Sequence, residues 1–309
     1  MSTLCGKDIL RSDLLSDGEL ELILSTASRF ERALTAGDRL TNMQGQVLAT
    51  LFFEPSTRTR LSFETAMLRL GGQVITMADP KTSSSAKGES LVDSMRTVEG
   101  YADVIVIRHP RKGSAQEAAD AVAVPVINAG DGTGQHPTQA LLDVYTMQKE
   151  KGALEGLTVT LAGDLKNGRT VHLLVYLLAR SGVRLLFVSP PGLEMPAAIT
   201  ADLKKLGAEI SEGGDLAAAM RRSDVLYVTR IQRERFEDSA AYERLSGSYV
   251  VDRAMIQQAK PGISIMHPLP RVDEITAEVD DYEGAAYFRQ AANGVPVRMA
   301  LLALVTGRN

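Results

Sequence analysis

Short runs of apolar and often β-branched residues alternate along the chain with segments in which apolar residues recur every three or four positions. The runs are typical of buried strands, and the recurrence is typical of amphipathic helices. This alternation predicts parallel sheets covered by helices, the α/β class. The predicted strands of the first half are residues 46–53, 73–77, 104–108 and 124–128. Those of the second half are residues 157–162, 183–189, 208–211 and 224–229, with short strands at 249–252 and 263–267.

The two series of strands divide beside a predicted helix at residues 137–149. Pro137 suits the first position of a helix, and glycines follow its last turn. A chain of 309 residues is long enough for about two domains. We therefore predict two domains, each an open parallel sheet flanked by helices: residues 1–136, completed by a C-terminal helix within 292–309, and residues 137–291. In such folds, ligands bind beyond the carboxyl ends of the strands.

Composition narrows the class of protein. No apolar run approaches the ~18 residues of a membrane span, and Lys7, Asp8 and Arg11 stand where a signal peptide has its apolar core. We therefore expect a cytoplasmic protein that does not enter a membrane. One cysteine, Cys5, and four histidines without ligand spacing predict neither a disulfide nor a metal site.

The formal net charge of −4 disfavours binding to nucleic acid. Of the 34 basic residues, however, 24 are arginines. Because the planar guanidinium group binds carboxylate or phosphate through paired hydrogen bonds, this excess favours small anionic ligands. Codon composition or surface solubility explains the same excess of arginine, so the arginines indicate a function only through the motifs in which they stand.

The segment Ser56-Thr57-Arg58-Thr59-Arg60 joins the first predicted strand to a helix predicted at residues 58–70. A helix N-terminus offers free N–H groups and a partial positive charge, to which this segment adds three hydroxyl groups and a guanidinium. An ordinary serine cap before a charged first turn is the alternative interpretation. Arg58 and Arg60, however, stand where acidic residues would suit the helix dipole. The segment therefore favours a phosphate site built without glycines.

This segment resembles the carbamoyl-phosphate motif of the transcarbamoylases. Further segments are similar, in the same order, to the catalytic chain of the aspartate transcarbamoylases: Lys87-Gly88-Glu89, Arg108-His109-Pro110, Gly130-Asp131-Gly132, His136-Pro137-Thr138-Gln139, Gly163-Asp164-Leu165-Lys166, Gly168-Arg169-Thr170-Val171-His172, Thr229-Arg230-Ile231-Gln232 and His267-Pro268-Leu269-Pro270-Arg271. The resemblance implies a carbamoyl-phosphate-binding first domain and an aspartate-binding second domain. It also implies an aspartate carbamoyltransferase, which transfers the carbamoyl group of carbamoyl phosphate to the amino group of L-aspartate. The products are N-carbamoyl-L-aspartate and phosphate, early in de novo pyrimidine biosynthesis, without cofactor or metal.

The resemblance also implies a set of site residues. The carbamoyl-phosphate ligands are Ser56, Thr57, Arg58, Thr59, Ser83, Arg108, His136, Gln139 and the carbonyl groups of Pro268 and Leu269, with Ser84 as an alternative to Ser83. The aspartate ligands are Lys87, Arg169, Arg230 and Gln232, and the catalytic residues are Arg58, Thr59, Lys87, Arg108 and His136. Glu54 is implied to stabilise the closed state through Arg169 and Arg235. The family also holds Leu269-Pro270 as a cis peptide bond.

The sequence pattern supports two of these positions independently. Arg108 ends an apolar run, and a parallel strand delivers such a residue to the ligand-binding edge of the sheet. A solvated strand exit is the alternative. His136 precedes a helix start, where the dipole favours a neutral imidazole as a donor, although a single capping histidine is more often structural. Gly163 and Gly168 fit the first and last glycines of the G-x-G-x-x-G dinucleotide motif, but Leu165 stands in place of its middle glycine. A dinucleotide site is therefore disfavoured.

The segment 82–88 carries Ser83 and Lys87, and its run of small polar residues predicts mobility. In the resembled family it reaches the neighbouring subunit's site, which implies a homotrimer with shared active sites. A separate regulatory chain is compatible with the sequence and stays open. Two other functions are weighed. An ornithine transcarbamoylase is disfavoured because Pro268 stands where that family has cysteine and because a Ser-Met-Gly segment is absent. The other is a non-catalytic protein that binds carbamoyl phosphate.

Overall fold

The computed structural model describes residues 3–79, 84–231, 247 and 249–309. The chain forms two compact units, Met1–Leu142 with Ala292–Asn309, and Asp143–Ala291. The division falls within the helix Pro137–Lys151. Each unit contains one open parallel sheet, so the predicted α/β class is confirmed. Within the described ranges, no helix combines the length and the apolar character that a membrane crossing requires.

The first unit has four strands: β1 (Val47–Phe52), β2 (Gln73–Met77), β3 (Val104–His109) and β4 (Val126–Asp131). They form a parallel sheet in the order β2-β1-β3-β4. The flanking helices are α1 (Asp17–Ala36), α2 (Thr57–Arg69), α3 (Leu91–Glu99), α4 (Ser114–Asp120) and the first turns of α5 (Pro137–Lys151). In the register of the sheet, Phe52 lies opposite Arg108, and His109 lies opposite Asp131. The carboxyl ends of β1, β3 and β4 therefore meet at one edge.

The second unit has five strands: β5 (Thr158–Gly163), β6 (Arg184–Val188), β7 (Ile210–Gly213), β8 (Val225–Thr229) and β9 (Ser264–Met266). They form a parallel sheet in the order β7-β6-β5-β8-β9. Its helices are α6 (Arg169–Arg180), α7 (Ala197–Lys205), α8 (Leu216–Met220) and α9 (Arg253–Gln258). Both faces of β5 and β8 are buried, which explains why their sequences are apolar runs and not alternating patterns.

Two sequence predictions differ from the structure. The strand predicted at 249–252 is wrong, because only Val251 pairs, in an isolated bridge with Ile275. The chain turns at once into α9, since the Asp252 carboxylate caps that helix by accepting the Met255 N–H at 2.8 Å. The last helix, α10 (Tyr287–Val305), begins well before the apolar stretch that predicted it. It carries buried polar residues, including Arg298, that an apolar pattern does not register.

Candidate active site

The N-terminus of α2 carries the predicted phosphate segment at the carboxyl end of β1. Ser56 is its N-cap residue, and the Ser56 side chain makes no capping hydrogen bond. No acidic residue stands in the first turn of the helix. Thr59 is buried, whereas Thr57 and Arg58 are exposed. The partial positive charge of this N-terminus is therefore compensated neither by a capping side chain nor by an acidic residue in the first turn. An N-terminus that binds an anion must keep this charge and its N–H groups available.

Arg108 stands at the end of β3, beside this helix, and its side chain is buried. Its Nη1 donates to the Ala129 carbonyl at 3.1 Å, and its Nη2 lies 3.3 Å from Glu54 Oε2. Its Nε is buried without a hydrogen-bond partner in the part of the chain that the structure describes. Burial lowers the pKa of Arg108, and the Glu54 carboxylate opposes that shift. Arg108 is therefore held in a fixed orientation and keeps one N–H donor for a ligand.

Arg58 and Arg108 are electrostatically coupled. Although Arg58 is exposed as a whole residue, partial desolvation of its guanidinium and the positive charge of Arg108 both lower its pKa. Two guanidinium groups that repel each other favour an anion bound beside both of them. Glu54 supplies part of this compensation through its ion pair with Arg108, a contact that the sequence did not predict. Arg235, the other predicted partner of Glu54 besides Arg169, lies outside the described residues.

The turn after β4 positions His136 at the start of α5. The Asp131 carboxylate accepts the backbone N–H of Gly113 at 2.8 Å and the backbone N–H of Gln135. Gly132 has a φ of 58°, and a Cβ at this position would clash with the Pro110 carbonyl. His136 is buried as a result. The sequence showed the Gly-Asp-Gly motif, but only the structure shows that the Asp131 carboxylate stabilises the turn by hydrogen bonds to two backbone N–H groups.

Arg298 of α10 contacts both α2 and α5 and is only 3% exposed. Its guanidinium carbon is 5.0 Å from the centre of the Phe63 ring, and its Nη2 is 3.5 Å from Thr138 Oγ1. Phe63 belongs to α2 and Thr138 to α5. One buried cation therefore ties together the two helices whose first turns carry the predicted carbamoyl-phosphate ligands. No sequence motif pointed to this residue.

The first unit thus brings most of the predicted carbamoyl-phosphate residues to the carboxyl edge of its sheet. They stand on α2, on the end of β3 and on the start of α5: Ser56, Thr57, Arg58, Thr59, Arg108, His136 and Gln139. Lys87 lies apart from them in the sequence and is exposed at the end of a short 3-10 helix, Ser84–Lys87. Ser83 and Gln232 lie outside the described residues.

The second unit places two predicted aspartate ligands after adjacent strands. Arg169 begins α6, one loop after β5, and Arg230 follows β8 directly. Gly163 and Thr229 pair where these strands end. Gly163 has a φ of 110°, and a Cβ there would clash with the Thr229 carbonyl. Only glycine allows the two strand ends to approach this closely.

The turn after β9 contains the predicted carbonyl ligands. The Leu269–Pro270 peptide bond is cis, as the resemblance implied, and Leu269 has a φ of 56°. Pro268 and Leu269 are half-buried. Among the described residues, no donor reaches either of their carbonyl oxygens. Both oxygens can therefore accept hydrogen bonds from a ligand.

Two buried residues support this turn: His267, which the sequence showed in a motif without a role of its own, and Glu274, which the sequence did not single out. His267 Nε2 lies 2.6 Å from Glu274 Oε1. Burial acts to raise the pKa of Glu274, but the hydrogen bonds from His267 and from backbone N–H groups outweigh it and lower the pKa to about 2. Glu274 is therefore an ionised carboxylate beneath the turn at neutral pH.

Comparison with known proteins agrees with this geometry. Residues 7–149 match the carbamoyl-P binding domain of the aspartate/ornithine carbamoyltransferases, and residues 155–305 match their Asp/Orn binding domain. The aspartate carbamoyltransferase catalytic subunit of Thermococcus gammatolerans is 54% identical over 302 residues, 98% of each chain. The solved catalytic subunit of M. jannaschii aspartate transcarbamoylase has a TM-score of 0.92 at 50% identity and covers 98% of each chain.

A second solved relative is aspartate transcarbamoylase from Trypanosoma cruzi in complex with carbamoyl phosphate and aspartate. It has a TM-score of 0.93 at 42% identity, again over 98% of each chain. Both halves of the sequence match one family, and the relatives resemble the chain over nearly its whole length. This chain belongs to the aspartate/ornithine carbamoyltransferase family, and it is similar throughout to the aspartate carbamoyltransferase catalytic subunits.

Proposed function

We propose that this chain transfers the carbamoyl group of carbamoyl phosphate to the amino group of L-aspartate, giving N-carbamoyl-L-aspartate and phosphate. The observation that carries the proposal is the carboxyl edge of the first sheet. There the uncapped N-terminus of α2 stands beside the coupled pair of Arg58 and buried Arg108. The ligands held by the Trypanosoma cruzi relative, carbamoyl phosphate and aspartate, support the choice of substrates.

In this proposal the first unit binds carbamoyl phosphate. Ser56, Thr57, Arg58 and Thr59 hold the phosphate group at the N-terminus of α2, where free N–H groups add to the attraction. Thr59, Arg108 and His136 donate to the carbonyl oxygen as negative charge develops on it. One preorganised donor of this kind contributes roughly 3 kcal/mol to stabilisation of the transition state. Gln139 orients the carbamoyl amide together with the carbonyl groups of Pro268 and Leu269, which also accept hydrogen bonds from the amino group of aspartate.

The second unit binds aspartate through Arg169, Arg230 and Gln232, with Lys87 as a further ligand. The amine nitrogen attacks the carbonyl carbon, the bond from that carbon to the phosphate oxygen breaks, and the departing phosphate accepts the proton that the amine loses. Holding both substrates in line supplies much of the remaining rate enhancement. The domains are accordingly residues 1–136 with 292–309 for carbamoyl phosphate, and residues 137–291 for aspartate.

Assembly forms part of the same proposal. Lys87 is exposed on a segment separate from the other ligands, and Ser83 stands four positions before it. We infer that both residues complete the site of a neighbouring subunit in a homotrimer, which a regulatory chain can join. Glu54, with Arg169 and Arg235, stabilises the state with both substrates bound. We place the enzyme in the cytoplasm, in pyrimidine biosynthesis.

The test is formation of labelled product from carbamoyl phosphate in the presence of aspartate, of ornithine or of neither. We expect labelled product, N-carbamoyl-L-aspartate, only in the reaction that contains aspartate. Product with ornithine would show that the second substrate is wrong. Binding of carbamoyl phosphate without product from either amine would identify a non-catalytic binding protein.

A further inference from the structure

His267 holds the turn after β9 through one side of its ring. The backbone N–H of Leu269 donates to His267 Nδ1 at 2.8 Å. Pro268 and Pro270 have no N–H, so Leu269 carries the only backbone donor of this three-residue turn. That donor is spent on His267. The bond orients the peptide groups around Leu269 and thereby directs the carbonyl groups of Pro268 and Leu269.

Glu274 holds the other side of the same ring. Its Oε1 lies 2.6 Å from His267 Nε2. Its Oε2 accepts the backbone N–H groups of Val272 and Asp273, each at 3.2 Å. The side chains of His267 and Glu274 are 1% and 8% exposed, so water does not replace these partners. Through these contacts the Glu274 carboxylate connects the His267 side chain to the backbone of residues 272 and 273.

This arrangement determines where the imidazole proton lies. A backbone N–H is always a donor, so Nδ1 is the bare nitrogen and Nε2 carries the proton. Only a group with acceptors alone can face that Nε2–H and two backbone N–H groups together, and an ionised carboxylate is such a group. The turn needs this support because a φ of 56° at Leu269 is disfavoured for a residue with a Cβ.

We propose that His267 and Glu274 are positioning residues, which together aim the carbonyl oxygens of Pro268 and Leu269 at the N–H groups of the substrates. The inference rests on the proposed function, which assigns those two oxygens to the substrates. The proposal predicts different effects on the binding of two kinds of ligand. A ligand that donates to the carbonyl groups depends on the pair, whereas inorganic phosphate, which the first unit binds at α2, does not.

The first variant is Glu274→Gln, which keeps the shape of the side chain. Its amide nitrogen must face either the two backbone N–H groups or His267. In the first case both backbone N–H groups lose their acceptor. In the second case the imidazole proton moves to Nδ1 and opposes the Leu269 N–H. At least one of these hydrogen bonds is therefore lost in either orientation. We expect at least a ten-fold loss of affinity for a phosphonate–aspartate bisubstrate analogue, whose amide N–H stands in for the aspartate amine. The affinity for phosphate stays within two-fold.

The second variant is His267→Asn. Its side-chain oxygen can still accept the Leu269 N–H, as asparagine does in an Asx turn, but the connection to Glu274 is lost. We expect the same loss of affinity for the bisubstrate analogue and the same unchanged affinity for phosphate. This variant tests the proposal if Glu274→Gln does not fold. Because the two residues act as one unit, the double variant loses little more affinity than the weaker-binding single variant.

Thr160→Val is the matched control for lost stability. It removes a buried hydrogen bond of 2.6 Å to Ser223, at the amino end of β8 and so at the opposite edge of this sheet from the turn. Its affinities for both ligands remain those of the unaltered protein, although its thermal midpoint falls. Calorimetry on the folded proteins provides the affinities.

The outcomes are distinct. Analogue affinity within two-fold of the unaltered protein in both single variants overturns the positioning role. So does an equal loss of analogue and phosphate affinity, which indicates general loosening, or an additive double variant, which indicates independent effects. If the unaltered protein neither turns over the substrates nor binds the analogue, the proposed function itself has failed.

Discussion

Replacing Arg108 with lysine tests the first unit most directly, because it keeps the positive charge and removes the planar fork. Three groups depend on that fork: the Ala129 carbonyl at 3.1 Å, Glu54 at 3.3 Å, and the ligand that Nε, which has no partner among the described residues, can serve. An ammonium group is a single point of charge on a flexible stem. It cannot hold the Ala129 carbonyl and Glu54 while donating to a substrate in a fixed direction.

The structure predicts a large catalytic effect and a small structural one. Loss of one aligned donor to the developing oxyanion costs roughly 3 kcal/mol, about a hundred-fold in kcat. Loss of the bond to the Ala129 carbonyl lowers the free energy of unfolding by only about 1 kcal/mol. The measurements are steady-state carbamoyl transfer to aspartate and urea unfolding of the same preparation.

Arg111→Lys is the matched control, since Arg111 is exposed three residues away and pairs at the surface with Glu117. That variant keeps the activity of the unaltered protein, because exposed ion pairs contribute under about 1 kcal/mol. A kcat for Arg108→Lys within three-fold of the unaltered protein would refute the role assigned to the guanidinium fork.

Three further predictions follow from the same geometry. Arg58→Ala and Lys87→Ala chains are each nearly inactive, but roughly a quarter of the sites become active when the two are mixed equally and reassembled as trimers. A site is intact when its phosphate segment comes from the Lys87→Ala chain and its Lys87 from the Arg58→Ala chain, one half times one half. A mixture as inactive as its parents excludes shared sites. Gly132→Ala lowers both stability and kcat because its Cβ meets the Pro110 carbonyl, whereas Gly113→Ala, also at positive φ but in open space, costs about 1 kcal/mol and keeps activity. Equal kcat values in the two variants would contradict the clash. Glu274 titrates at about 2 in the folded protein against 4.5 unfolded, so the unfolded state binds more protons between these values. Unfolding free energy therefore falls by about 3 kcal/mol as the pH drops from 4.5 to 2, and Glu274→Gln loses this slope in urea titrations.

The sequence by itself determined the architecture and the strand-end residues. Parallel strands buried on both faces require continuous apolar runs, and such runs are visible without knowledge of any contact. The chain must also leave each strand at the same edge of the sheet, so residues that follow those runs, such as Arg108 and Arg230, could be placed near a ligand. Residue types at helix starts, such as Ser56 and Arg58, added the chemistry.

Tertiary structure alone decided how those residues are held. Glu54 faces Arg108, Arg298 joins Phe63 to Thr138, and Glu274 clasps His267. Each contact depends on where two separate elements meet, and a local pattern of apolar residues carries no record of that. The buried polar positions of α10 went unpredicted for the same reason. A polar side chain is tolerated in the interior only when a specific partner satisfies it, and that partner is chosen by packing, not by its neighbours in the sequence.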